Sequence, residues 1–256
     1  MPDASTPRRS ERRRVSVVGV LGELLLTAGA VVLLFLGWQL WWNDAITGAR
    51  QSAAASDLST GWQEAERVRG EPPSAETPSD AAEPYVDASE RAYGDAFAVM
   101  YVPRFGDDSQ RTVAEGTGLD VLNDADTGVG HYEGTQMPGA VGNFAIAAHR
   151  SAYGGGMHEI DRLQLGDGIY IQTSDGWYTY RFRDLEYVTP DTVGVLAPVP
   201  HHPELAPTDR IITLTTCNPL YSTAERIIAY GVLETWRPTA DGPPDEIADA
   251  VAAWGR

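Results

Sequence analysis

A long apolar run near the N-terminus constrains this chain most, because such a run is either a membrane-spanning helix or the apolar region of a cleaved signal peptide. Val15–Trp42 is overwhelmingly apolar, and Leu24–Trp38 within it carries no charge. The run is long enough to cross the hydrocarbon core of a bilayer. It exceeds the apolar region of a typical cleaved signal peptide, and no clear A-x-A cleavage site follows it. The sequence therefore predicts an uncleaved signal-anchor, a single transmembrane helix over residues 15–42.

The charges that flank this run predict its orientation. Met1–Arg14 is polar and arginine-rich, and Trp38, Trp41 and Trp42 lie at the other end of the run. Positive residues favour the cytoplasmic side, and indoles favour the membrane–water interface. We therefore expect a basic cytoplasmic tail over residues 1–14 and the rest of the chain outside the cell.

The segment after the apolar run has the composition of a tether. Residues 43–93 are rich in Ala, Ser, Glu, Asp and Pro, and Glu71–Pro84 has almost no apolar residues. Such segments cannot bury enough apolar surface to fold on their own. The sequence predicts a flexible acidic spacer over 43–93, in which Asp57–Arg69 can form a short helix.

From about Gly94 the pattern changes to short apolar runs separated by Gly, Asp and Pro. Many short strands with little helix predict a mainly antiparallel sheet that closes into a sandwich or barrel, here over residues 94–238. His158–Leu163 is expected to form a short helix, and residues 239–256 a C-terminal tail with at most a helical turn or two at Glu246–Trp254. The predicted strands are Phe97–Val102, Arg111–Glu115, Asn143–Ala148, Gly168–Gln172, Trp177–Thr189, Arg210–Cys217 and Arg226–Thr235.

Charge and cysteine content exclude several functional classes. The formal net charge is −17, which argues against nucleic acid as a partner. The single cysteine, Cys217, excludes an intrachain disulfide and a cysteine-cluster metal site. No cofactor or metal is expected, because the four carboxylates that come closest to a calcium-site pattern match no known calcium loop. These are Asp107, Asp108, Asp124 and Asp126.

Cys217 lies between two predicted strands. Arg210–Cys217 is rich in β-branched residues, Asn218-Pro219 predicts a turn, and Arg226 begins the next strand. A short connection usually joins antiparallel neighbours, which brings the Cys217 and Arg226 side chains near each other. A nearby cation favours the thiolate. Taken alone, however, a lone cysteine is more often an inert buried thiol.

A cysteine nucleophile needs a proton partner, usually histidine. His149 directly follows the predicted strand Asn143–Ala148 and precedes a loop, where catalytic groups tend to lie. A structural, hydrogen-bonded histidine remains open from this feature alone. Arg226 is open too, between a surface ion pair and a donor to a developing oxyanion. The other histidines are less well placed. His131 lies in a glycine-flanked loop, and His158 lies in the short helix, where a surface or packing role is favoured. His201 and His202 lie in a proline-rich loop and are expected to face solvent.

Three pieces of sequence together resemble the sortase family. They are Thr213-Leu214-Thr215-Thr216-Cys217-Asn218-Pro219, Arg226 on the following strand, and Ala148-His149-Arg150 upstream. The first piece looks most like class E sortases, in which TLTTC is typical, and the resemblance covers roughly Gly94–Pro238. Many relatives have Gly where Ala148 stands, an exchange of one small residue for another.

The resemblance implies a fold and a reaction. The fold is a closed eight-stranded sortase-type β-barrel with short helices, preceded by one transmembrane helix. The reaction is cysteine transpeptidation, thiol protease-like, in which Cys217 attacks the bond between Thr and Gly of a C-terminal LAxTG- or LPxTG-type sorting signal. His149 would exchange protons with the departing and incoming amines, and Arg226 would stabilise the oxyanion. Tyr132 is the candidate for signal preference, and Thr216 and Asn218 flank the nucleophile as candidate substrate-binding residues.

The resemblance also implies partners and location. The partners are surface proteins that bear a sorting signal, a lipid-linked peptidoglycan precursor amine and the membrane of a Gram-positive cell. The chain would be a single-pass protein of the cell membrane with an extracellular catalytic domain. Two alternatives stay open: a non-catalytic extracellular β domain that binds a wall component or partner protein, and a cysteine protease that releases peptides to water.

Overall fold

A computed structural model describes residues 16–38, 42–69 and 83–254. The chain forms two compact units, residues 1–42 and residues 43–256. The predicted basic tail, residues 1–14, and residues 70–82 of the predicted spacer lie outside the described residues.

The first unit contains one helix, α1, which spans Val17–Gly37. Its length and apolar composition suffice to cross a membrane, since 21 residues at a rise of about 1.5 Å each span the hydrocarbon core. The Ser16 hydroxyl caps the helix by accepting a hydrogen bond from the Gly19 N–H at 3.4 Å. A helix therefore occupies most of the predicted 15–42 span.

The second unit is built on eight strands that close into a barrel in the order β1-β2-β3-β4-β7-β8-β6-β5. The β2–β3 and β4–β7 pairs are parallel, and the remaining pairs are antiparallel. The closed eight-stranded barrel is thus confirmed, whereas the two parallel pairs were not predicted. The strands are β1 (Ala96–Tyr101), β2 (Arg111–Glu115), β3 (Gly128–His131), β4 (Gly142–Ala148), β5 (Gly168–Gln172), β6 (Gly176–Val188), β7 (Arg210–Asn218) and β8 (Glu225–Pro238).

Strand β3 is the one that the apolar pattern missed. Two of its four residues are glycine, and strand propensity is low for glycine. The glycine at 130 serves close approach, because a Cβ there would lie 2.2 Å from the carbonyl oxygen of Gly116. His131 ends this buried strand, so its predicted place in a loop is wrong.

Side-chain alternation on β7 separates the core from the outer face of the barrel. Ile212 and Leu214 point into the apolar core, whereas Thr213, Thr215 and Cys217 alternate with them and face outward. The β6–β7 connection covers part of that outer face through Asn143, whose Nδ2 donates to the carbonyls of Val195 at 3.0 Å and Ala197 at 3.1 Å. A groove between this connection and the wall of the barrel results.

Helix α2 spans Asn43–Arg69 and packs against β2 and the C-terminal helix. This corrects the flexible spacer predicted for residues 43–56, whereas the short helix predicted at Asp57–Arg69 forms the C-terminal half of α2. The buried positions recur at intervals of three and four residues, which is the spacing of one helix face, but they are small or polar rather than large and apolar. They are Gly48, Gln51, Ser52, Ala55, Ser56 and Ser59.

Residues 83–95 also lie on the barrel, although without regular structure. The Tyr178 hydroxyl donates to the carbonyl of Tyr85 at 2.8 Å, and the Arg91 guanidinium lies 4.6 Å from the centroid of the Phe97 ring. The spacer prediction is therefore corrected here as well.

Two short helices complete the second unit around the barrel: α3 (Leu119–Leu122) and α4 (Ala248–Trp254). Helix α4 confirms the predicted helical turns of the tail, and Trp254 packs edge-on against Tyr101 at a centroid distance of 5.1 Å. The predicted helix at 158–163 is a single 3-10 turn over Ile160–Arg162.

The packing of α2 predicts a stability difference between two substitutions on that helix. Ser56 is buried and accepts a hydrogen bond from Gln110, whereas Ala53 is exposed. Ser56→Arg should lower the free energy of unfolding by about 2–4 kcal/mol, because it removes the acceptor of the buried Gln110 amide and puts a long charged side chain at a buried position, while Ala53→Arg should change it by less than about 0.5 kcal/mol. Thermal unfolding measures both changes. Equal melting temperatures for the two variants would show that α2 does not pack on the barrel and would support the flexible spacer instead.

Candidate active site

Strand β7 brings Cys217 next to Arg226. The two residues are direct partners in the antiparallel β7–β8 ladder. Side chains at such positions lie on the same face of the sheet with Cβ atoms about 4.5–5.5 Å apart. Cys217 is partly exposed, so its thiol is accessible from the outer face of the barrel.

The other neighbour of β7 ends one residue before His149. Strands β4 and β7 run parallel, with Ala147 opposite Thr215. His149 follows the last paired residues of this ladder, and continuing the same register by two residues along both chains would bring it beside Cys217. The Thr216 hydroxyl fixes this end of the pair by donating to the carbonyl of Ala148 at 2.7 Å.

His149 is held by two loop residues. The side-chain oxygen of Asn123 lies 2.8 Å from His149 Nε2, and the Tyr153 ring packs on the imidazole at a centroid distance of 5.2 Å. An amide oxygen only accepts, so Nε2 carries the proton and Nδ1 is the nitrogen left to titrate.

Burial lowers the pKa of His149 below its ordinary value, and the charge of Asp44 on α2 partly opposes the shift. The neutral imidazole is therefore the resting form at neutral pH. Since the folded state has the lower pKa, this group adds stability above the unfolded value, and the contribution is lost as pH falls through the folded value.

Arg226 is positioned by backbone carbonyls. Its Nη1 donates to the carbonyls of Thr223 at 3.1 Å and Glu225 at 3.0 Å. The Glu225 carboxylate instead accepts from Asn218 Nδ2 at 2.8 Å. The guanidinium lines the outer groove, an arrangement that suits a donor to a bound carbonyl.

The groove beside Arg226 runs between the barrel wall and the β6–β7 connection. Thr215, Ile228 and Tyr132 line one side, and Val193 and Leu196 of a 3-10 turn line the other. The Tyr132 hydroxyl shares a 3.0 Å hydrogen bond with the Thr215 hydroxyl, which holds the tyrosine against β7. The cleft is apolar with a few fixed polar groups, as expected of a peptide site.

Comparison with known proteins decides the family. The sequence profile described as "Sortase domain" matches residues 100–234, just over half of the 256 residues. Sortase SrtE2 of Streptomyces coelicolor is 31% identical over 249 residues, which cover 94% of this chain and 92% of that protein. The chain belongs to the sortase family.

Other relatives agree with this assignment. Sortase SrtE1 of S. coelicolor is 33% identical, and the match covers 96% of this chain and 66% of that protein. Among solved structures, the SrtA sortase from Actinomyces oris superposes with a TM-score of 0.60 at 38% identity over 64% of this chain and 93% of that one. A crystal structure of sortase E1 from S. coelicolor with a tripeptide in its active site gives 0.56 at 35% identity over 62% of this chain and 99% of that one. The predicted family, its class E character and its cysteine transpeptidase chemistry are confirmed at this level.

Two predicted substrate-binding residues of this sortase are hydrogen-bonded within the barrel. Thr216 is 3% exposed and lies on the core side of β7, so its hydroxyl holds β4 and we assign it a positioning role. Asn218 is bonded by the Arg150 guanidinium and by Glu225, but it is partly exposed, and its role in substrate binding stays a prediction. Two-residue alternation from Cys217 is the sequence signal that places Thr216 on the inner face.

The other four histidines do not line this groove. His131 and His158 have structural partners, and His201 and His202 face solvent. His131 is buried with Nδ1 2.8 Å from a Glu115 carboxylate oxygen, and His158 Nδ1 lies 2.8 Å from the carbonyl of Arg150. His201 and His202 are exposed, as predicted. Sequence reasoning missed Asn123 and Tyr153, which contact His149, and Asp44, whose charge acts on it, because such loop and helix residues leave no periodic signal.

The structure brings no metal-binding cluster together among the residues it describes. Of the four carboxylates considered from the sequence, Asp126 pairs with Arg50 at 2.9 Å, and Asp124 Oδ1 accepts from the N–H groups of Asp126 and Thr127. The expected absence of a cofactor stays a prediction.

Removing the charge of Asp44 should lower the pKa of His149 further. Asp44→Asn keeps an oxygen for the bond that Asp44 Oδ1 accepts from Gly154 N at 3.1 Å and removes only the charge. Asp57→Asn, on the exposed side of the same helix, is the matched control and should leave the pKa unchanged. An NMR titration of the His149 ring measures both, and an upward shift in Asp44→Asn would contradict the assigned electrostatics.

Proposed function

We propose that this sortase cleaves a C-terminal LAxTG- or LPxTG-type sorting signal between Thr and Gly and joins the acyl half to a cell-wall precursor amine. The observation that carries the proposal is the register of β7 with both of its neighbours. Cys217 pairs with Arg226 in the β7–β8 ladder, and continuing the β4–β7 register past the end of β4 would bring His149 beside Cys217, which supports one shared site. A nucleophile, a proton carrier and an oxyanion donor are the groups that acyl transfer requires.

In the first half-reaction, Cys217 Sγ attacks the carbonyl carbon of the signal's Thr. Because His149 rests neutral, it first accepts the thiol proton and then gives that proton to the departing glycine amine. The carbonyl oxygen becomes negative in the tetrahedral intermediate, where the Arg226 guanidinium stabilises it. A thioester between Cys217 and Thr remains as the C–N bond breaks.

In the second half-reaction, an acceptor amine attacks the thioester carbon. His149 removes a proton from the amine as the C–N bond forms, and the C–S bond breaks with return of the thiolate, which regains a proton from His149. Atoms balance without a cofactor. The acceptor is proposed to be the amine of a lipid-linked peptidoglycan precursor, which makes the product a surface protein fixed to the wall.

The groove suits the apolar part of such a signal. Val193 and Leu196 offer an apolar wall opposite Ile228, and Tyr132 stands at the side nearest β7. We assign to Tyr132 the preference between Ala and Pro in the signal. Its hydrogen bond to Thr215 gives the ring one fixed position from which to exclude or accept a side chain.

Helix α1 provides the membrane anchor in this proposal, with the N-terminus in the cytoplasm and the barrel outside. Anchoring holds the enzyme near substrates and lipid-linked acceptors that occupy the same surface, which raises their effective concentration. Slow turnover can then suffice, even when only a small fraction of the enzyme has Cys217 and His149 in the reactive protonation states.

A fluorescent LAxTG-type peptide tests the function. The full chain in detergent should cleave it, and with an added glycine- or diaminopimelate-type amine it should give the ligated product, while Cys217→Ala should do neither. Unchanged cleavage by Cys217→Ala would refute the nucleophile. Cleavage without ligation at any amine concentration would identify a protease instead.

Arg226 should matter for the chemical step. Arg226→Ala should lower kcat about 10²–10³-fold, the usual cost of one lost oxyanion donor, while Cys217 still reacts with iodoacetamide. Arg183→Ala, an exposed arginine on β6, is the control and should leave kcat unchanged. A rise in KM with kcat unchanged would show that Arg226 contributes to substrate binding in the ground state and does not selectively stabilise the transition state.

A further inference from the structure

Gln51 on helix α2 contacts the two loops that hold His149. The side chain is completely buried, although glutamine is mostly a surface residue. Its Nε2 donates to the carbonyl of Asp124 at 2.8 Å and to the carbonyl of Tyr153 at 3.1 Å. One amide group thus joins the loop after α3 to the loop after β4.

Each of those loops supplies one contact of the His149 ring. Asn123, the residue next to Asp124, is bonded to His149 Nε2, and Tyr153 packs on the imidazole face. Of the two carbonyls that Gln51 binds, one therefore belongs to Tyr153, which packs on His149. The other belongs to Asp124, the direct neighbour of Asn123. A displacement of either carbonyl would move a contact of the imidazole.

The chain is shaped around the Gln51 side chain. Gly128 and Gly154 both have positive φ angles, and a Cβ would lie 2.3 Å from Gln51 Nε2 at the first and 2.2 Å from Gln51 Oε1 at the second. Between them, Tyr153 adopts φ of +50°, which a bulky residue holds only when its surroundings enforce it. From α2, Gln51 bonds directly to the Tyr153 carbonyl.

Other residues of α2 strengthen the same attachment. Asp44 accepts from Gly154 N at 3.1 Å, Arg50 pairs with Asp126 at 2.9 Å, and the Ser52 hydroxyl accepts from Arg111, whose other Nη atom lies 3.3 Å from the carbonyl of Gly154. Helix α2 thus contacts both loops along about two turns. Of these α2 side chains, Gln51 is the only one that bonds to both loops.

We infer that Gln51 is a positioning residue for the transfer reaction: it ties the two loops together so that Asn123 and Tyr153 hold the His149 imidazole beside Cys217. The inference rests on the proposed role of His149. Gln51 does not touch substrate, so its effect is on the chemical step rather than on peptide binding.

Gln51→Met tests this with little change in shape. Methionine fills a similar volume and removes both donors, together with the amide oxygen that has no partner among the described residues. Ser59→Ala is the matched control, because Ser59 is equally buried on the same face but accepts only from Gln63 within α2. Both are compared with the wild type as full chains in detergent.

We expect Gln51→Met to keep a cooperative unfolding transition and to lose about 10–100-fold in kcat, with KM changed less than about threefold. The pKa of His149, followed by NMR of its ring, should rise toward the ordinary value of about 6.5 as the imidazole becomes solvated. Ser59→Ala should match the wild type in all three measurements.

A folded Gln51→Met protein with wild-type kcat and an unchanged His149 titration overturns the inference. If that variant does not fold, Gln51→Asn replaces it; the shortened amide cannot reach both carbonyls and should shift kcat and the titration in the same direction. If the wild type turns over no sorting peptide, the proposed function fails by itself. The His149 titration then still decides the inference, and equal values in wild type and variant reject it.

Discussion

The site depends on the two-sided pairing of β7. One neighbour runs parallel and ends one residue before His149, and the other runs antiparallel and sets Arg226 opposite Cys217. A slip of one residue in either ladder would turn a member of the site to the other face of the sheet. The apolar residues that alternate with the site on β7 and β8 are buried in the core, so the packing that stabilises the barrel also fixes the register. Stability and site geometry thus come from the same residues.

Burial and polar contacts around the barrel set the pKa and the tautomer of His149. Burial favours the neutral imidazole, the Asn123 oxygen selects its tautomer, and the carboxylate of Asp44 limits the shift in pKa. Two of the contacts of His149 come from loops, the one after α3 and the one after β4. A loop holds a side chain precisely only when neighbouring elements support it. Helix α2 contacts both loops, and this is the basis for inferring a catalytic consequence for a segment whose composition is that of a tether.

The sequence predicted what strong local patterns encode. The β-branched runs of β7 and β8 were sufficient to predict that Cys217 and Arg226 lie near each other, and the strand end before His149 made it the candidate proton partner. Their catalytic roles came from the resemblance to the sortases rather than from these features alone. Strand β3 escaped because strand propensity is low for glycine. The buried face of α2 escaped because Gly48, Ser52 and Ser56 are small or polar, and hydropathy takes such residues for a solvated surface. Contacts such as Asn123 with His149 depend on where loops meet in space, which no spacing along the chain records.

The central claim is that Cys217, His149 and Arg226 act on one peptide bond in one groove. A crystal structure of the Cys217→Ala variant with an uncleaved sorting-peptide analogue bound tests it most directly. The account predicts the analogue's carbonyl oxygen within about 2.6–3.2 Å of an Arg226 nitrogen, and the nitrogen of its scissile bond at a similar distance from His149 Nδ1, with the apolar residue of the signal against Tyr132 and Leu196. An analogue that lies outside this groove, with His149 and Arg226 both beyond the reach of its scissile bond, would contradict it.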